Sequence, residues 1–418
     1  MNLPFLTRAC FLLTLATLLN PVRASDWPQW RGPRRDGVVP GVAAGPTSLP
    51  ADPKPLWRKG IGGGFSSPVV SQGKLVYQDE RDQKEFAHCL DAETGRELWN
   101  ISYAPAYQDE WGAGPRSTPT IDADRVYLQS CDGEFLCVKM ADGSTIWRIS
   151  FEKDFGVKFL GSKAREGTAT RRGNNGSPLI DGRGIIVPVG SPNGASLVCF
   201  DKMTGEIIWK TGSDEAAYSS PISATFGGVY QIVSLTADAL MGVERNSGKI
   251  LWRVPLITNA KRHAMTPVIY GDTIIVNSHT FGAISYRIRK EGDAFKATEV
   301  WRNKDLKINV STPVLAGKHL FSQGPAKNLV CFKADDGELA WAHDGFGKEV
   351  SSVLLAGQTL IVLADDGQLV LVAANPEQYR ELARVQVAGK NWNHPAYANG
   401  RLFVRDAREL SCYDLLRK

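Results

Sequence analysis

The stretch Asp201-Lys202-Met203-Thr204-Gly205-Glu206-Ile207-Ile208-Trp209 decides the architecture of this chain. It reads as strand, tight turn, strand. The aspartate can bond its own turn backbone, and glycine takes a positive φ without steric cost. Two apolar residues then lead to a tryptophan, which offers a large area for burial between layers.

The hairpin recurs. Asp91-Ala92-Glu93-Thr94-Gly95 leads to Trp99, Ala141-Asp142-Gly143 to Trp147, and Glu244-Arg245-Asn246-Ser247-Gly248 to Trp252. A degraded copy, Arg289-Lys290-Glu291-Gly292, reaches Trp301, and Ala334-Asp335-Asp336-Gly337 leads to Trp341. The copy at Asn375-Pro376-Glu377 has no tryptophan, and the last ends at Cys412-Tyr413-Asp414 without an outer strand. Each unit also opens alike, from Ser66-Ser67-Pro68 through Ser117-Thr118-Pro119, Gly176-Ser177-Pro178 and Ser219-Ser220-Pro221 to Asn393-His394-Pro395. Four short strands per repeat predict an all-β, eight-bladed β-propeller, one sheet per repeat. Leu56-Trp57-Arg58 is an outer strand without a unit. Joined to the incomplete last unit, it closes the ring, so residues 56–418 form one propeller behind an extended arm at 25–55.

Residues 1–24 read as a secretory signal: Arg8, an apolar run from Ala9 to Leu19, and Val22-Arg23-Ala24 as a cleavage site. The run is short for a membrane span, and no cysteine follows it near residue 25 to carry a lipid. The expectation is an exported protein, periplasmic or secreted, that does not span a membrane after cleavage. The formal charge of +5 falls to +3 without Arg8 and Arg23 and does not argue for nucleic acid. Cys89, Cys137, Cys199, Cys331 and Cys412 share one slot, two residues before the position of Asp201. Equivalent slots in different repeats are seldom in bridging range, so buried free thiols are expected rather than disulfides.

Function should sit where the pattern is decorated. Loops from each outer strand to the next opening strand converge on one face, where they present Trp111, Arg116, Arg171, Arg172, Asn174, Tyr218, Arg262, His263, Asn309 and Trp392. A funnel lined this way suits a protein or peptide, or a small anionic ligand. The insertion between Ser150 and Gly176 supplies Arg171 and Arg172. The six histidines lack metal spacing, no Cys-x-x-Cys-His is present to attach haem, and Gly62-Gly63-Gly64 precedes a strand rather than a helix. No Gly-x-Ser-x-Gly elbow occurs.

The Asp-x-x-Thr-Gly-x-x-x-Trp hairpin with Ser-Ser-Pro-like openings resembles the pyrroloquinoline-quinone (PQQ) enzyme repeat. That repeat is shared by quinoprotein dehydrogenases and by the propeller lipoprotein of outer-membrane β-barrel assembly. Trp27-Pro28-Gln29-Trp30-Arg31-Gly32-Pro33 resembles exported PQQ-like propellers of planctomycete-type bacteria. The resemblance implies two functions. One is a non-catalytic scaffold that binds a partner or ligand through its funnel face. The alternative is a PQQ- and calcium-dependent dehydrogenase of alcohols or sugars. The adjacent Cys-Cys pair of the dehydrogenases is missing, and no motif aligns Glu166, Asn174 or Asn175 with their calcium ligands. The scaffold reading leads; no catalytic, cofactor or metal residue is carried over, and PQQ with calcium has no site motif to support it.

Overall fold

The computed structural model describes residues 26–109, 111–157, 173–258 and 260–415. The leader expected at 1–24 lies outside the described residues. Blade one comprises Val69–Ser71, Lys74–Arg81, Lys84–Asp91 and Glu97–Pro105, hydrogen-bonded in that order from axis to rim. Blades two to seven occupy 120–150, 179–211, 222–255, 268–303, 314–343 and 351–386. Blade eight takes Ala396–Ala398, Arg401–Arg405 and Glu409–Asp414 from the C-terminal end. Its outer strand is Trp57–Gly60, antiparallel to Glu409–Asp414 with Trp57 opposite Cys412. The ring is closed as the orphan strand implies. The one helix among the described residues, Phe151–Phe155, buries both phenylalanines against blades two and three.

Each repeat hairpin serves its neighbour. The indole Nε1 of Trp209 donates to the Arg245 carbonyl of blade four at 2.8 Å, and its ring lies over Gly248 of the same turn. A Cβ on Gly248 would fall 2.8 Å from that ring, and its φ is +73°. Glycine is therefore required twice, for backbone conformation and for the close approach of the ring. The same contact joins Trp57 to Ala92, Trp99 to Met140, Trp147 to Lys202 and Trp301 to Ala334, and Trp341 makes the same bond to Asn375 on a turn without glycine.

The cysteine slot lies directly across the strand pair from the tryptophan. Cys199 faces Trp209, Cys89 faces Trp99, Cys137 faces Trp147 and Cys331 faces Trp341. Gly242 and Ser285 fill the slot in blades four and five, while in blade seven Leu371 faces Ala383. Large opposes small in every blade, so core volume is conserved. The six cysteines from Cys89 onward are buried and free.

Two irregularities follow from the same rule. Blade five folds its last two strands, Gly282–Glu291 and Ala294–Asn303, into a long hairpin of two ten-residue strands. Its turn is displaced, and Trp252 bonds instead to Gln231 Oε1 within its own sheet at 2.7 Å. In blade eight the third strand ends at Asp414 and the fourth arrives from residue 57, so no turn connects them. Blade seven thus has nothing on which to land a tryptophan, and it has Ala383 there. Leu49 of the arm packs against that seam.

The arm does not lie over the body, as its composition suggests; it enters the axis. Trp27 bridges to Val70 of the innermost strand of blade one. Arg31 donates to the carbonyls of Thr312 and Pro313 at 3.1 and 2.9 Å, and Arg35 to those of Pro178 and Ser177 at 2.7 and 2.8 Å. Both residues hold a left-handed backbone, with φ of 58° and 59°. Burial lowers their guanidinium pKa values to about 10 and about 9, which still leaves both charged at neutral pH. Val38–Val39 then adds a parallel fifth strand inside blade seven.

The Ser-Ser-Pro openings bond around this plug. The backbone N–H of Ser67 donates to Thr118 Oγ1, Thr118 to Ser177 Oγ, and Ser177 to Ser220 Oγ, at 3.3, 3.0 and 2.9 Å. His394 donates to Ser67 Oγ at 3.1 Å, linking blade eight to blade one.

Trp209→Ala is expected to destabilise the fold by roughly 3–5 kcal/mol in denaturant titration, because it empties one inter-blade slot. A near-neutral result would contradict the anchor. Removing the chain through Gly60 takes away both axial plug and closing strand. It should lower the melting temperature, and an unchanged value would refute closure by this segment.

Candidate functional site

On the face where outer-to-inner loops converge, the axis opens into a bowl of about 350 Å³. Trp30 from the arm lies at its floor, its Nε1 donating to Thr266 Oγ1 at 2.8 Å and its ring edge-on to His394 at 4.6 Å. One side is aromatic. Trp111 sits at the tip of a small hairpin, Gln108–Asp109 paired with Gly112–Ala113, and is 52% exposed. Its ring meets Trp392 at 5.2 Å and 49°, and Trp392 meets Phe65 at 5.5 Å. Arg116 stacks over Phe65 at 4.2 Å and over Tyr107 at 5.2 Å, and binds Asp109 Oδ1 at 2.7 Å. The other side is polar. Arg262 donates to Asn309 Oδ1 at 2.8 Å, and Lys327 Nζ donates to the Glu349 carbonyl at 3.2 Å. Asn175 and Tyr218 complete the wall.

Of the funnel residues named from sequence, Trp111, Arg116, Tyr218, Arg262, Asn309 and Trp392 line this bowl. Asn174 and His263 do not. Asn174 is fully buried, with its amide directed at the Cys131 carbonyl, and its neighbour Asn175 takes the lining position. His263 is buried with Nε2 on the Leu256 carbonyl at 2.7 Å, and burial lowers its pKa. Arg171 and Arg172 lie outside the described residues. Phe65, Lys327 and the floor Trp30 were not foreseen. Lys327 comes from the turn between the second and third strands of blade six, a class of loop that the convergence rule does not cover.

Behind the aromatic wall lies a buried acid. Glu85 accepts from the Tyr103 hydroxyl at 2.7 Å and from the backbone of Tyr107, at the root of the Trp111 hairpin. Desolvation outweighs both bonds and lifts its pKa to about 8. Cys131, nearby, donates to Asn175 Oδ1 at 3.0 Å, and burial raises its thiol well above the usual range. It is held as a thiol, not as a nucleophilic thiolate.

The calcium implied by resemblance finds no ligand group in the described residues. Among them no three His, Cys, Asp or Glu side chains are grouped to hold a metal ion. Asp109 is committed to Arg116, Asn174 is turned into the wall, and Glu166 lies outside the described residues. No helix among the described residues is long and apolar enough to cross a membrane.

A ring of eight four-stranded blades built from Asp-x-x-Thr-Gly…Trp hairpins, with a funnel at one end of its axis, defines a PQQ-like β-propeller. The chain belongs to the family described as "Outer membrane protein assembly factor BamB", whose model matches residues 47–191, 83–305 and 292–378. The factor of that name from Burkholderia pseudomallei (strain K96243) is 25% identical over 331 residues, 75% of this chain and 74% of that protein. The crystal structure of BamB from Moraxella catarrhalis shares the fold, with a TM-score of 0.55 at 13% identity over 86% of this chain and 98% of that one. So does the computationally designed Ika8 protein, with a TM-score of 0.58 at 9% identity over 88% and 100%. Family and fold together support a scaffold or binding role.

The raised acid makes stability depend on pH. The folded chain holds the Glu85 proton more tightly than the unfolded chain, whose value is near 4.5. Its stabilising contribution is therefore complete below that value and is lost as pH rises towards about 8. Glu85→Gln is expected to flatten the fall in melting temperature between these limits and to raise it at pH 8. Parallel wild-type and variant curves would refute a buried neutral acid.

Proposed function

We propose that this chain is an exported, non-catalytic scaffold that holds a protein partner against its funnel face, as a component of outer-membrane assembly. The observation that carries this reading is the rim of the bowl, where Trp111 stands exposed on its hairpin above Trp392 and Phe65, beside Arg116. Tryptophan and arginine around a preformed concavity are residue types that dominate binding energy at protein interfaces; here the tryptophan is exposed and the arginine half-buried. Ile257 is 71% exposed on the blade-four-to-five loop and adds a second apolar contact point on this face. Together they give a docking surface with separated anchors, suited to an interface of ~800 Å² per partner. The family name supports the assembly setting, and the leader expected at 1–24 supports export.

Affinity purification from the envelope fraction of the native cell tests it. Wild-type protein should retain a defined envelope protein, and Trp111→Ala with Arg116→Ala should reduce recovery about tenfold or more, as loss of a hot-spot pair implies. Undiminished recovery with both variants would move the interface elsewhere. Dye-linked oxidation of alcohols or sugars after loading with PQQ and calcium would overturn the non-catalytic reading.

A further inference from the structure

The bowl carries a surplus of positive charge. Arg116, Arg262 and Lys327 line it against one carboxylate, Glu349, whose Oε2 is buried. Arg116 is neutralised by Asp109 at 2.7 Å. Arg262 donates instead to the neutral amide oxygen of Asn309, and half-buried Lys327 to a neutral backbone carbonyl. Lys348 and Lys390 stand exposed on the loops that bring Glu349 and Trp392 to the wall. Acids on the neighbouring loop are spent elsewhere, Asp214 on Arg253 and Glu215 on Lys261, at 2.8 and 2.9 Å.

A concave site of one sign concentrates its field on whatever enters it. An ammonium holds three donors, so a single carbonyl leaves Lys327 with donors for a guest. A cationic guest is repelled, and the ring faces that could attract it are taken, Phe65 by Arg116 at 4.2 Å and Trp392 by Lys390 at 5.7 Å. The charge on the guest is therefore negative. The aromatic side adds a second requirement. Trp111, 52% exposed at its hairpin tip, is the large apolar side chain that the bowl leaves to solvent, and an apolar group must cover it. A volume of about 350 Å³ is near the lower end of small-ligand sites and admits a few side chains, not a folded domain. A carboxylate and an apolar side chain on one narrow chain describe a peptide segment.

We propose that the bowl takes a short acidic segment of the protein partner, with an Asp or Glu side chain directed to Lys327 and Arg262 and an apolar side chain a few positions away on Trp111. This names the chemistry of the partner and rests on the partner reading above.

Fluorescence anisotropy of labelled synthetic peptides with the full mature chain tests it. The peptides pair Leu, Phe or Trp with Asp or Glu a few positions away, and each has an amide and a Lys counterpart. Acidic peptides should bind, amide counterparts about tenfold more weakly and Lys counterparts not measurably, with affinity falling as salt is raised. Lys327→Glu should weaken the acidic peptides about tenfold or more and confer binding of the Lys peptides, a gain that a misfolded chain cannot give. Lys249→Glu, on a blade-four hairpin turn outside the bowl, should change neither. The proposal is overturned if no peptide binds, if acidic and amide peptides bind alike, or if Lys327→Glu leaves the preference as it was. Phosphatidylglycerol vesicles that bind through Lys327 where no peptide does would also overturn it, in favour of a lipid headgroup. An envelope protein lost by Trp111→Ala but fully retained by Lys327→Glu would overturn the acidic segment and leave the partner reading standing. Charge reversal with the peptides, alongside an envelope protein that Trp111→Ala still retains, would uphold the acidic segment and move that partner elsewhere.

Discussion

Five of the eight inter-blade seams are built on one contact: an indole laid on the glycine turn of the next blade, with its N–H on a carbonyl of that turn; a sixth, Trp341 on Asn375, keeps the bond without the glycine. The contact joins a large apolar burial to a satisfied polar atom, so the tryptophan can be buried without stranding its donor. It also imposes three demands at distant points in sequence. The turn needs glycine, the cross-strand position needs a small side chain, and the neighbour must possess a turn at all. Cys199, Gly242 and Ser285 answer the second demand in different blades, and Ala383 opposite Leu371 shows what replaces it when the third fails. The missing tryptophan of blade seven and the split eighth blade are one fact seen from two sides.

The blades were legible because their information is local. A turn signal, a strand period and a tryptophan lie within nine residues, and repetition turns a weak signal into a count. The orphan Leu56-Trp57-Arg58 was legible by subtraction. The path of the arm was not, because Arg31 and Arg35 are held by carbonyls of Thr312, Pro313, Ser177 and Pro178, contacts that span up to 282 residues. Nothing in a run of prolines and glycines announces that its arginines will fill an axis. The funnel was readable to the level of the loop and not of the residue. Asn174 and Asn175 are adjacent, yet one faces the wall and the other the bowl, a choice fixed by the backbone bond from Asn174 to Cys131. Lys327 was invisible because it arrives from another class of loop.

Scaffold and site use different radii of the disc. Indoles such as Trp57, Trp99, Trp147, Trp209, Trp301 and Trp341 tie the outer strands together, whereas Trp30, Trp111 and Trp392 belong to the funnel. Between them runs the hydroxyl relay of the opening residues, from His394 through Ser67, Thr118 and Ser177 to Ser220. The relay engages one residue of each opening in structure, while the neighbouring Ser66, Ser117 and Ser219 hydroxyls are buried without a partner. This separation explains why a repeat named after a cofactor describes architecture: its indoles and turns stay away from the bowl, and of its defining residues only the openings, at Ser67, Ser177, Ser220 and His394, reach it.

Blade eight couples the two ends of the chain, and that has a kinetic side. Its outermost pair sets Trp57 against Cys412, so the pair cannot form until nearly the whole chain is available. Until then Glu409–Asp414 is a bare strand edge, and the axis lacks the arginines that bridge its carbonyls. Such long-range pairing is slow, and an open edge invites pairing with another chain. The arm and Trp57–Gly60 are thus among the last segments to be secured, and the half-closed ring is the species most exposed to misassembly.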